Sequence, residues 1–161
     1  MTTEASHAPV LRRAGEADAE AIAALVAAAY VDYTPLLGRT PFPMLADYHE
    51  VVREHQAWVL MDAGRMVGVI ELVPAPDHLW VENVAIAPTD QGRGHGRRLL
   101  AHAEAEARRQ GLAEIGLLTN ERYLANIAMY QRYGYRETHR EPRGGTDLVY
   151  FRKRLDDGGA S

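Results

Sequence analysis

VENVAIAPTDQGRGHGRRLL, residues 81–100, passes from a run rich in β-branched residues, through a proline, into glycines that alternate with polar residues, and then into a leucine-led helical pattern. Gly92, Gly94 and Gly96 give up side-chain contacts at a cost in backbone entropy, so their clustering marks a place where something must come close. A glycine-rich passage from strand to helix lets backbone N–H groups converge on one point, and the helix dipole adds positive potential there. Arg93, Arg97 and Arg98 add charge-assisted donors, so an anion, and phosphate in particular, suits the site. A tight connection with no ligand is the plainer alternative. Two familiar phosphate loops do not fit. A dinucleotide fingerprint needs a third glycine where Arg97 or Leu99 stands, and a Walker loop needs Gly-Lys-Ser/Thr after its glycines.

Working outward, residues 57–62, 65–73 and 78–87 are short runs bounded by the turn Ala63-Gly64 and the break PAPD, the pattern of an antiparallel meander. Upstream lie a first strand at 10–13, a break at Ala14-Gly15 and an alanine-rich helix over 16–30 with Ile22, Leu25, Val26 and Ala29 on one face. A loop with three prolines follows over 31–43, then a short helix over 44–54. Downstream, a helix over 94–110 turns Leu99, Ala103 and Ala107 inward and is capped by Gly111. Strand 115–119, helix 123–133 ended by Gly134, and strands 135–139 and 148–154 complete the chain. The order β-α-α-β-β-β-α-β-α-β-β gives an α+β (mixed α/β) fold, a mixed sheet with helices packed on it.

The chain has 161 residues, 47% hydrophobic and 25% charged, enough for one domain with a continuous core, expected over 1–155, with a disordered tail at 156–161. Net charge is −4, so the whole-molecule field attracts neither nucleic acid nor an acidic membrane, and any anion site is local. Cysteine is absent and serine occurs only as Ser6 and Ser161, which removes acyl-Cys and acyl-Ser intermediates and thiolate metal sites. Neither H-E-x-x-H nor a zinc-deaminase signature accompanies the histidines, so no catalytic metal is expected. The apolar segment at 21–30 is far short of the ~20 residues of a spanning helix, and a cytoplasmic protein without membrane attachment is the expectation.

The spacing Gln91-x-x-Gly94-x-Gly96 after Val84-Ala85-Ile86 resembles the [QR]-x-x-G-x-[GA] signature of the GNAT N-acetyltransferase superfamily. A second block, Asn126-Ile-Ala-Met-Tyr130 with Tyr133-Gly134-Tyr135, is similar to the family's later helix. The resemblance runs from about Val10 to Leu155. It implies a central, mostly antiparallel sheet of about seven strands and about four helices, splayed between strands 4 and 5, and acetyl-CoA as cosubstrate. By that resemblance the backbones of Val84, Ala85 and Ile86 pair with the pantetheine arm. The amides of Gly92, Arg93, Gly94, His95, Gly96 and Arg97 hold the diphosphate with Gln91 at the loop mouth, and Asn126 flanks the arm.

The resemblance implies N-acetyl transfer through a ternary complex to a primary amine of a small molecule or peptide. Tyr130 occupies the position of the family's general-acid tyrosine, though a core tyrosine with a bonded hydroxyl would look the same. Glu82 is the candidate base or the partner of an arginine. On strict alternation it shares a face with Trp80 and Val84, unless a bulge intervenes. Tyr30, Tyr33 and Arg39 are acceptor contacts, Arg39 by pairing with a carboxylate; the alternative has Tyr30 closing the first helix and Arg39 solvated. Asn83, His78 and His139 read as structural or surface groups. A noncatalytic acyl-CoA-binding sensor on the same fold is the rival reading. The last strand offers an edge for a homodimer.

Overall fold

The computed structural model describes residues 8–156, so Ser6, Ser161 and the tail from residue 157 onward lie outside the described residues. Seven strands form one sheet in the order β1-β2-β3-β4-β5-β7-β6. They are β1 (Val10–Arg13), β2 (Gln56–Asp62), β3 (Arg65–Pro74), β4 (Leu79–Ile86), β5 (Glu114–Asn120), β6 (Arg136–Arg143) and β7 (Thr146–Arg154). The helices are α1 (Ala19–Tyr30), α2 (Tyr33–Leu37), α3 (Tyr48–Glu54), α4 (His95–Arg109) and α5 (Leu124–Arg132).

The apolar stripe of α4 places Leu99, Leu100, Ala103 and Ala107 in a core with Leu72, Leu79, Ile115 and Phe151. Ile22 and Val26 of α1 and Val51 of α3 form a second core with Val59, Val69 and Ala85. Val69 and Ile70 are neighbours in β3 yet enter different cores. Successive strand residues face opposite ways, so the two cores lie on opposite faces of the sheet.

Every pairing is antiparallel except β4 with β5, which is parallel and holds for only Leu79 with Ile115 and Trp80 with Gly116. Beyond Trp80 the two strands part. Just there the register of β3 and β4 slips: Leu72 faces Val81 and Glu71 faces Asn83, leaving Glu82 without a cross-strand partner. Such a bulge bends its strand and increases the local twist, which carries β4 away from β5.

Three expectations need correction. The 31–43 loop contains α2, with Pro35 inside its first turn, where a missing N–H costs nothing. The helix expected from Met44 starts at Tyr48, because the Asp47 side chain accepts hydrogen bonds from the amides of His49 (3.0 Å) and Glu50 (3.4 Å). The last strand, β7, lies between β5 and β6 and has no free edge. The free edge is β6, exposed at every position and carrying Pro142 among alternating charges, a composition that discourages strand pairing.

Candidate active site

Where β4 and β5 part, two clefts open and share Tyr30, Val84, Asn126 and Tyr130. The first cleft is lined by Val84, Ala85, Ile86, the loop residues Asp90, Gln91, Gly92 and Gly94, the start of α4 and the α5 residues Met129 and Arg132. Gly92 (φ +80°) and Gly94 (φ +82°) are left-handed, and α4 begins at His95 with no side-chain cap. The amides of His95, Gly96 and Arg97 therefore lack intrahelical partners and remain free to donate. Ala87 N–H donates to Val67 across the β3 side (2.9 Å). By alternation the backbone groups of Val84 and Ile86 point to the edge that β5 has left, while those of Ala85 face β3 opposite Val69. Tyr30 Oη donates weakly to the Val84 carbonyl (3.4 Å) and Gln91 Nε2 to that of Ile86 (3.3 Å).

The glycine loop is anchored from below. Asp90 is buried and accepts two hydrogen bonds from Arg65, at 2.6 and 2.8 Å, with Thr89 Oγ1 at 3.1 Å. These bonds, Arg65 foremost, hold its carboxyl down at about 2 against the opposing effect of burial. Among the loop's arginines, Arg97 stands 5.6 Å from the Tyr133 ring centroid, while Arg98 is turned away and donates to the Pro9 carbonyl at 2.5 Å. Arg132, absent from the sequence-derived site, lines the same cleft from α5.

The second cleft is walled by Leu37, Arg39 and Pro41–Pro43 of the 31–45 segment, by β4 from Val81 to Val84, by Leu117–Asn120 of β5 and by Leu148. Val81 and Val84 both pack in the α4-side core, so the bulge puts Glu82 and Asn83 together on the opposite face. Strict alternation fails there. Glu82 makes no ion pair with an arginine among the described residues; its exposed carboxylate accepts the indole N–H of Trp80 at 2.7 Å. Asn83 is buried, accepting from Tyr30 Oη (2.9 Å) and donating to Tyr48 Oη (3.2 Å). Tyr30 thus ties α1 to β4, and Tyr33 stacks on Tyr123 with ring centroids 3.9 Å apart. Arg39 is half-buried, with its guanidinium 4.4 Å from the Phe42 ring centroid.

Opposite Asn83 lies the buried Glu71, 2.5 Å from His55 Nδ1. Burial raises its carboxyl, and the histidine contact opposes that rise. The run VGVIELV reads as an ordinary strand, and only the fold brings His55 to it.

At the neck between the clefts stands Tyr130, on the same face of α5 as Asn126 one turn earlier. Its ring packs against Tyr135 and Phe151, and burial raises its hydroxyl well above the usual phenol range, so the proton stays on. No described residue hydrogen-bonds that hydroxyl or the Asn126 amide. Among the described residues no group of three His, Cys, Asp or Glu side chains is placed to hold a metal ion, and no helix is long and apolar enough to cross a membrane.

A sheet parted after a bulged fourth strand, with an uncapped helix following its glycine loop, is the architecture of an acetyltransferase fold. Residues 22–135 match the model of the Acetyltransferase (GNAT) family, and the chain belongs to that family. It is 30% identical over 87 residues to N-acetyltransferase family 8 member 3 of Rattus norvegicus, a match spanning 50% of this chain and 38% of that protein. The structure of the ribosomal-protein-S18-alanine N-acetyltransferase from Escherichia coli superposes with a TM-score of 0.73 at 20% identity, covering 95% of this chain and 97% of that one. A GNAT acetyltransferase from Elizabethkingia anophelis, solved with acetyl-CoA bound, gives 0.68 at 16% identity, covering 91% and 98%.

Proposed function

We infer that this chain moves the acetyl group of acetyl-CoA directly to a primary amine, with both substrates bound at once. The observation that carries the reading is the meeting of the two clefts at Tyr130, which gives each substrate its own entrance and one shared point of contact. The residues of the first cleft suit the cosubstrate: the edge of β4 at Val84 and Ile86 has backbone groups to offer an amide-bearing arm, and the free amides at the start of α4 suit a diphosphate. Gln91 and Arg97 line the same cleft, Arg93 lies between them in the loop, and Asn126 has an uncommitted amide for the arm. The Ala85 backbone pairs with β3 opposite Val69 and the residue is buried in the α1-side core, so Val84 and Ile86 are the β4 residues assigned to the arm.

Bound there, acetyl-CoA supplies an activated thioester carbonyl. The acceptor amine enters by the second cleft and must lose its proton before it attacks, since alkyl amines are cationic at neutral pH. Glu82, fixed by Trp80 and open to water, takes that proton, directly or through a water molecule. The Tyr130 hydroxyl, protonated and without another partner, donates to the departing sulfur. No acyl-enzyme is required, in keeping with the absence of cysteine.

Release of free thiol from acetyl-CoA on adding amines tests the reading. Amine-dependent release supports it. Calorimetric binding of acetyl-CoA without release for any amine would favour a sensor.

A further inference from the structure

The second cleft carries charge that the protein itself leaves unused. Arg39 walls it, and Arg143, the last residue of β6, sits over the same Phe42 ring, with its guanidinium 4.5 Å from the ring centroid against 4.4 Å for Arg39. Two cations sharing one ring repel each other unless an anion joins them. Among the described residues neither guanidinium forms an ion pair. Arg39 Nε is buried with no hydrogen-bond partner, and so is the hydroxyl of Thr119 on the β5 wall of the same cleft. Unpartnered buried polar atoms call for an explanation; four others lie elsewhere among the described residues, at Trp58, His95, His102 and Tyr135, and what sets Arg39 and Thr119 apart is that both line the cleft that Glu82 also lines.

The turn is built to admit Arg39. A Cβ on Gly144 (φ +61°) would stand 2.9 Å from Arg39 Nε. Glu82 lines the same cleft without pairing to Arg39, so the two opposite charges stay apart and leave room for a molecule between them.

We propose that the acceptor is an amine that also carries a carboxylate, a compound of the amino-acid class, whose carboxylate is held by Arg39 and the Thr119 hydroxyl, with Arg143 adding charge, while its amine faces Glu82. This rests on the acetyl-transfer reading above. A guanidinium offers the planar fork that a carboxylate fits, and a hydroxyl donates the further bond.

The test is thiol release at saturating acetyl-CoA with glycine, L-leucine and L-phenylalanine, each against its own carboxamide, and with putrescine and spermidine. An amide has the less basic amine and is the more readily deprotonated, so amine chemistry alone favours the amides. The expected result is a kcat/KM at least 10-fold higher for the acid than for its amide in one or more pairs. That ratio falls toward one in Arg39→Met, chiefly through KM, is partly retained in Arg39→Lys, and falls by a smaller factor in Arg143→Met. Amides or polyamines used as well as the acids, or a ratio unchanged in both methionine variants, overturn the proposal while leaving acetyl transfer intact. Should Arg39→Met fail to fold, the parent ratio and Arg143→Met still decide. No release with any amine, acetyl-CoA being bound, ends both readings.

Discussion

Two side chains carry the chemistry in this account, and each is separable by a small substitution. Tyr130→Phe removes only the hydroxyl from a packed ring, so turnover is expected to fall by about 10²-fold or more, the scale of a lost general acid, with acetyl-CoA affinity little changed. Calorimetry alongside steady-state rates checks both halves, and equal turnover in parent and variant removes Tyr130 from the role. For Glu82→Gln turnover is expected to fall by about 10²-fold or more with acetyl-CoA affinity little changed, and unchanged turnover assigns the base elsewhere, Glu71 with His55 being the rival across the bulge. Tyr130, Asn126 and the loop glycines could be singled out in the sequence because they sit in spaced motifs, and Glu82 because it is a charge within a strand; all line the clefts, while their roles rest on the proposal. Arg132 and Thr119, which line the clefts, and Arg143, which sits over Phe42, could not be, since each takes its place only through the packing of elements distant in sequence.

At the scale of elements, the glycine loop and its anchor make separate predictions. Gly96 has no left-handed φ, and a Cβ there meets only Ile86 at 3.9 Å, so neither strain nor crowding explains it. Gly96→Ala is expected to hold or raise the melting temperature, alanine being about 1 kcal/mol the better helix former, while weakening acetyl-CoA binding by crowding the diphosphate. Unchanged affinity would make the loop a mere connection. Asp90, held at about 2 in the folded chain, stabilises it in ionised form above the ordinary carboxylate value of 3.8. That contribution is lost as pH falls from there to about 2. Asp90→Asn is thus expected to melt at lower temperature at pH 7 and to lose less than the parent on acidification through that window; parallel melting curves contradict this. Elements with one buried face were readable, α4 above all. The hairpin β6–β7 extends beyond the expected strands 135–139 and 148–154, because β6 is exposed at every position and shows no alternation, and it closes at Gly144-Gly145, both at positive φ. α2 was hidden by Pro35 and by having only five residues.

For the whole molecule, the organising fact is a sheet that stays paired through Leu79 and Trp80 and then divides, so that two cores on opposite faces flank one passage. The alternating runs indicated a mixed sheet, and the family resemblance indicated the splay; the bulge at Glu82 that produces it has no signature in VENVA. The start of α4, Arg97 and Arg132 line one cleft of a chain whose net charge is −4, so the anion site we propose there is local, as the loop glycines and arginines suggested, with Arg132 added by the fold. A crystal structure of the protein with coenzyme A tests this most directly. The pantetheine arm is expected along the free edge of β4 at Val84 and Ile86, the diphosphate on the amides of residues 92–97 and the sulfur beside Tyr130. Coenzyme A lying outside the gap between β4 and β5, or with its diphosphate away from the start of α4, would contradict it.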